Sequence, residues 1–125
     1  MRKEKILVIG GTGFIGFHIM KALLKLDYRI VSVSLHEAKK IRVLNKVNYI
    51  TMDISKIKNF KKLDNHNFKF VINLGGYVDH INKSKVEKFH FFGVKNLFYY
   101  FEKKKIETFY SSWEFIGIWK SQTTA

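Results

Sequence analysis

The chain has 125 residues, of which 46% are hydrophobic and 26% charged, enough for one domain with its own core and too few for two ordinary ones. It contains no cysteine, which excludes disulfide scaffolds, thiol nucleophiles and Cys-based metal or iron–sulfur sites, and no proline, which excludes a Pro-rich linker. Twenty-three Lys and Arg against ten Asp and Glu give a formal charge of +13, the one bulk property that points towards an anionic partner.

Strand-like and helix-like segments alternate along the chain. Arg2, Lys3 and Lys5 before Ile6–Ile9 imitate a secretory signal, but glycines punctuate the apolar run, and His18 and Lys21 follow with no small-residue cleavage site. No apolar stretch is long enough to span a membrane, so a cytoplasmic location is expected. Lys5–Ile9 (KILVI) is a continuous apolar run, as in a strand buried on both faces. In Phe14–Leu26 the residues Ile15, Ile19, Ala22, Leu23 and Leu26 recur at helical spacing. Arg29–Leu35 reads as a second strand and His36–Leu44 as a second helix. Val47–Met52 is a third strand, Ser55–Leu63 a short helix or loop, and Phe68–Leu74 a fourth strand ending in Gly75-Gly76. Ser84–Lys104 is the longest helix expected, and Ile106–Ser111 a fifth strand. Residues 118–125 read as a tail behind a domain of residues 1–117.

Between the first strand and first helix stands Gly10-Gly11-Thr12-Gly13-Phe14-Ile15-Gly16. A chain that turns sharply there, brings backbone N–H groups to a pyrophosphate and starts a helix facing that anion needs glycines at 10, 13 and 16. The strand before the motif and the amphipathic helix after it supply the context that separates it from an ordinary Gly-rich turn. Alternation of this kind with this motif predicts an α/β fold: a Rossmann-type, doubly wound parallel sheet of five strands in the order 3-2-1-4-5.

The opening GGTGFIG resembles the extended short-chain dehydrogenase/reductase superfamily, in particular its NAD-dependent epimerase/dehydratase family, which acts mainly on nucleotide-sugars. Four later segments resemble that family in order and spacing. Tyr49-Ile50-Thr51-Met52-Asp53-Ile54 is similar to its strand-end Gly-Asp-Leu/Ile, whose Asp contacts the adenine. Val71-Ile72-Asn73-Leu74-Gly75-Gly76 resembles its Val-Ile-His-Leu-Ala-Ala, which lines the cofactor. His90-Phe91-Phe92-Gly93-Val94-Lys95-Asn96-Leu97 is similar to Asn-Val-x-Gly-Thr-x-Asn-Leu, and Phe109–Gly117 resembles Ser-Ser-x-x-Val-Tyr-Gly, which carries the catalytic Ser or Thr. His90 for Asn, Asn73 for His and Ile116 for Tyr depart from the pattern. The resemblance also implies a Tyr-x-x-x-Lys pair beyond the Ser, whereas only 13 residues follow Ser112 and none is Tyr. Tyr99-x-x-x-Lys103 and Tyr100-x-x-x-Lys104 match that pair by pattern, but they precede Ser112 and end the helix at the amino edge of the sheet, away from the carboxyl edge where ligands bind.

The resemblance makes Gly10, Gly11, Thr12, Gly13, Phe14, Ile15, Gly16, Ser34, Asp53, Ile54, Leu74, Gly75 and Gly76 the candidate cofactor-binding residues, and Ser112 the candidate catalytic residue with Glu114 as a nearby acid. Phe14 reads equally well as core, and for Asp53 a helix N-cap is the lesser, competing reading. Ser34 stands where NAD-preferring relatives carry an acidic residue for the ribose 2′-OH, with His36, Lys39 and Lys40 close behind, so the cofactor is NAD or NADP with a lean to NADP. His18, His36, His66, His80 and His90 lack metal-ligand spacing, and no metal is expected. The charge is discounted as a nucleic-acid signal. Twenty Lys stand beside 3 Arg, with 14 Ile, 12 Phe, 8 Asn and only 3 Ala, as AT-rich codons would leave them, and Arg, the cation that forks onto phosphate, is the scarce one.

The expected function is that of the NAD(P)-binding portion of a nucleotide-sugar epimerase/dehydratase-like oxidoreductase, inactive alone for want of the Tyr/Lys pair. The alternative is a non-catalytic dinucleotide-binding or basic RNA-binding module. Phe89, Phe92, Leu97, Tyr100 and Phe101, with Phe91, Phe98 and Tyr99, make helix 84–104 apolar nearly all round, which predicts an exposed aromatic patch. In relatives this helix meets a partner subunit, so a homodimer is expected through it.

Overall fold

Aliphatic side chains cluster in runs of four to six residues, too short for helices and rich in Val and Ile, and these runs become the sheet. The computed structural model describes residues 3–74 and 83–111, with 83–90 described by backbone alone. Among the described residues, β1 (Lys5–Ile9), β2 (Arg29–Ser34), β3 (Asn48–Thr51), β4 (Phe70–Asn73) and β5 (Thr108–Ser111) pair in parallel in the order β3-β2-β1-β4-β5. The register sets Leu7 opposite Val31 on one side and Val71 on the other, with Val33 opposite Ile50 and Val71 opposite Phe109. The expected order 3-2-1-4-5 is the observed one.

Alternate residues of β1 enter different cores, which is why KILVI carries no polar alternation. Leu7 and Ile9 join Val31, Val33, Val71 and Phe109 beneath α2 (Lys83–Phe101) and the 3-10 helix Ile57–Leu63, from which Phe60, Leu63, Leu97 and Phe101 enter. Ile6 and Val8 join Ile30, Val47 and Met20, the last from α1 (Phe14–Lys25), on the opposite face. Leu7, Val8 and Val71 are fully buried, each contributing about 1.5–3 kcal/mol by leaving water.

The helix expected over 36–44 does not form. A single 3-10 turn, Lys40–Arg42, interrupts extended chain there. The segment lacks an apolar stripe to lay on the sheet: Ile41 is 83% exposed and Val43 is exposed too, leaving only Leu44 packed against the core. The ambiguous segment 55–63 resolves into the 3-10 helix, and α2 ends at Phe101, before the run Lys103–Lys105. Within α2, Val94, Leu97 and Phe101 face the core, whereas Phe91, Phe92 and Tyr99 are exposed. The segment 118–125 lies outside the described residues.

Candidate functional site

The sheet reverses its winding between β1 and β4, and the crevice at the carboxyl ends of those strands is where open α/β sheets take ligands. The glycine loop leaves β1 at that point. Gly10 has φ 84°, the left-handed conformation that a side chain disfavours, and its N–H donates to the Val33 carbonyl (2.8 Å) while its carbonyl accepts from Gly13 N–H (3.3 Å). A Cβ at Gly16 would lie 2.5 Å from the Gly10 carbonyl oxygen and 2.6 Å from Gly11 Cα, so helix α1 packs against the loop only because position 16 is bare. A Cβ at Gly11 would meet Ser32 Oγ at 2.6 Å and Met20 Sδ at 2.8 Å. Gly13 differs from all three. It is exposed, its φ is −77°, and a Cβ there would meet only the Gly10 oxygen, at 3.6 Å. Among the described residues nothing requires glycine at 13, and the space beside it is open.

Helix α1 begins at Phe14 with Gly13 as N-cap, no side chain capping it and no acidic residue in its first turn. Its first N–H groups carry the positive end of the helix dipole with no capping side chain among the described residues, which suits a pyrophosphate. Phe14 and Ile15 are 64% and 66% exposed, so Phe14 is not core. Its ring packs edge-on against His18 (4.7 Å), and the guanidinium of Arg42 lies 5.9 Å from its centroid. Thr12 is half-buried between Gly11 and Gly13.

The remaining described candidates converge on the same edge. Ser34 closes β2, and its hydroxyl is buried with no hydrogen-bond partner among the described residues, as is that of Ser32 beneath Gly11. Asp53 follows β3 and caps a turn: its Oδ1 accepts from Ser55 N–H (2.9 Å) and Ser55 Oγ–H (2.6 Å), and its carbonyl accepts from Lys56 N–H (3.2 Å) and from Asn59 Nδ2–H (3.1 Å). The helix-capping role weighed for Asp53 is not what forms: the 3-10 helix has Lys56 at its N-cap with no side-chain cap, and Asp53 closes a turn onto Ser55 instead. Ile54 is buried against Gly93, where a Cβ would stand 2.8 Å from Ile54 Cδ1, and its carbonyl accepts from Asn96 Nδ2–H at 2.8 Å. Leu74 N–H donates to the Ile9 carbonyl (2.8 Å), which seats Leu74 beside the glycine loop. Buried Asn73 donates through Nδ2 to Ser111 Oγ (3.3 Å), tying the ends of β4 and β5 together. Gly75, Gly76, Ser112 and Glu114 lie outside the described residues.

The residue pattern leaves two contributors unnoticed. Asn96 holds the loop carrying Asp53 to α2, and Arg42 reaches across from the β2–β3 connection to Phe14. Asn96 stands inside a motif already singled out, while nothing in the local sequence of Arg42 marks its neighbour. The Tyr/Lys pairs that straddle the end of α2 behave as structural groups. Tyr100 Oη–H donates to Asp64 Oδ1 at 2.7 Å, and Lys104 Nζ sits 4.5 Å from its ring centroid. Burial first, and then Asp64, pushes the Tyr100 hydroxyl well above its usual range, the opposite of what proton transfer near neutrality needs. Tyr99 is 68% exposed. Among the described residues no group of three or more His, Asp or Glu side chains is gathered to hold a metal ion, and no helix is long and apolar enough to cross a membrane.

Comparison with solved structures finds the same fold in proteins of low sequence identity. An epimerase from Methanothermobacter thermautotrophicus superposes with a TM-score of 0.78 at 17% identity, over 87% of this chain and 34% of that one. The UDP-glucose 4-epimerase of Thermotoga maritima, solved with UDP-glucose, gives 0.77 at 21% identity over 86% of this chain and 37% of its own. That of Thermus thermophilus, in complex with NAD, gives 0.67 at 21% identity over 76% and 32%. The chain therefore spans about a third of the length of these structures. No curated protein matches it in sequence. The family model for the NAD-dependent epimerase/dehydratase family matches residues 6–115, from the first strand through the segment after the fifth, and the chain belongs to that family.

Proposed function

We propose that this chain is the NAD(P)-binding portion of an oxidoreductase of the nucleotide-sugar epimerase/dehydratase type. The observation that carries the reading is Gly13, a glycine required neither by its backbone angle nor by packing among the described residues, at the uncapped start of α1 and at the reversal point of the sheet. UDP-sugar epimerases among the structural neighbours, one of them holding NAD, support the cofactor and substrate class. The bound cofactor supplies the hydride acceptor. The chain's own part is to hold the pyrophosphate on the amides of residues 11–16, to receive the adenosine between Ser34 and Asp53, and to offer Ser112, with Glu114 near it, to the reacting hydroxyl. No Tyr-x-x-x-Lys follows Ser112 in this sequence, so these 125 residues by themselves are proposed to bind cofactor without transferring hydride.

Ser34 in place of a carboxylate, with His36, Lys39 and Lys40 close behind it in the sequence, supports NADP over NAD. A homodimer through α2, a cytoplasmic location and no membrane or nucleic-acid partner complete the reading. Thermal melting with added dinucleotide tests it, since a ligand at a hundred times its Kd stabilises by about 2.7 kcal/mol. NADP should raise Tm more than NAD, and Ser34→Asp should reverse that order. RNA binding that falls steeply with salt, with no stabilisation by either dinucleotide, would instead identify a basic RNA-binding module.

A further inference from the structure

The opposite, amino edge of the sheet holds a second concave site. A cavity of about 350 Å³ is lined by Lys3, Lys5, Arg29, Lys46 and His66, with Asp27 beside them. Parallel pairing gathers these residues from distant parts of the chain. Lys5 opens β1 and Arg29, its register partner, opens β2, while Lys46 and His66 lie just ahead of β3 and β4. The five residues of β1 separate this cavity from the glycine loop by about 15 Å.

The cations are held close together. Lys5 Nζ–H donates to His66 Nδ1 at 3.0 Å, so the neutral imidazole carries its own proton on Nε2, and the ring is held parallel to Phe68 (5.4 Å, 15°). Burial and then the Arg29 charge push Lys5 below its usual range; burial, then Lys5, then Arg29 do the same to His66. Asp27 is the only carboxylate among the lining residues, 3.8 Å from Lys3 and facing solvent, and neighbouring Glu4 is engaged with Lys69 at 3.5 Å. Charges packed this way repel one another until an anion sits between them.

We propose that this cavity binds a small polyanion of the phosphate-ester or oligophosphate class between Lys5, Arg29 and His66 Nε2. The site is a pocket with apolar walls from Leu24 and Tyr28 rather than a charged stripe, which suits a compact ligand better than a nucleic-acid backbone. It lies away from the proposed dinucleotide site, so its occupancy is independent of that reading.

The test follows the His66 ring resonances by NMR while the chain is titrated with sodium tripolyphosphate, with a short RNA oligonucleotide as a second arm. Tripolyphosphate should bind with a Kd below about 1 mM and raise the His66 pKa by about one unit. Arg29→Gln should weaken binding about tenfold, whereas Lys95→Gln, an exposed cation on α2 with the same charge change, should not. Asp27→Asn should tighten it about threefold; Asp27 has φ 66°, a conformation Asn tolerates, so this variant keeps the fold. His66 resonances unmoved by tripolyphosphate, or equal weakening by Arg29→Gln and Lys95→Gln, would overturn the proposal. So would a response to RNA alone.

Discussion

At the scale of single residues, the glycine loop separates what the fold needs from what a ligand needs. Gly16→Ala puts a Cβ against backbone on two sides, where no rotamer relieves it, and should cost about 1–3 kcal/mol in urea unfolding. Gly13→Ala meets only ordinary contact and should cost no more than the loss of a favoured N-cap residue, about 0.5–1 kcal/mol. His66 gives a second residue-scale expectation. Its pKa lies below the ordinary 6.5, so in acid the unfolded chain takes up its proton first. The contribution of His66 is therefore fully present above pH 6.5 and is lost as pH falls from there to the folded value. His66→Gln should flatten the acid side of a Tm-against-pH curve over that window, with Lys3, Lys5, Asp27, Arg29 and Lys46 unchanged around it.

At the scale of elements, helix α1 ends in a motif whose residue choice is poor. Tyr28 N–H donates to the Leu23 carbonyl and Asp27 N–H to that of Leu24, and the left-handed position between them is filled by Asp27 where glycine fits best. Asp27→Gly should raise stability by about 1 kcal/mol, read as an upward shift in Tm. Asn96→Ala removes the amide that holds the Ile54 carbonyl and should cost about 1 kcal/mol while loosening the loop that carries Asp53. Elements were legible in the sequence where burial set the pattern. Lys5–Ile9 matches its strand end to end, since Ile6, Leu7, Val8 and Ile9 must each fill one core or the other. The segment 36–44 misled because it stands between two strands, where alternation predicts a helix, yet an irregular path lets Leu44 alone reach the core, its N–H donating to Tyr49 Oη at 3.0 Å. Propensity cannot reveal which apolar residues stay outside.

At the scale of the molecule, α2 leaves Phe92, Lys95 and Tyr99 along one exposed stripe with Phe91 adjacent. Sedimentation should show self-association of the chain, and Phe91→Ser with Tyr99→Ser should shift it towards monomer without lowering Tm. Much of the candidate site was legible because its glycines, Ser34, Asp53 and Leu74 sit at strand ends, and parallel topology brings strand ends to one edge. The contact of Arg42 with Phe14 was not, since it depends on the path of an irregular connection.

The most direct measurement is a calorimetric titration of NAD and NADP into the wild-type chain and into Gly13→Ala. Wild type should bind at one site per chain, and Gly13→Ala should bind about tenfold more weakly or worse while losing no more than a few degrees from its unfolding midpoint. Absence of binding to wild type, or equal affinity in the two proteins, would contradict a dinucleotide seated on this loop.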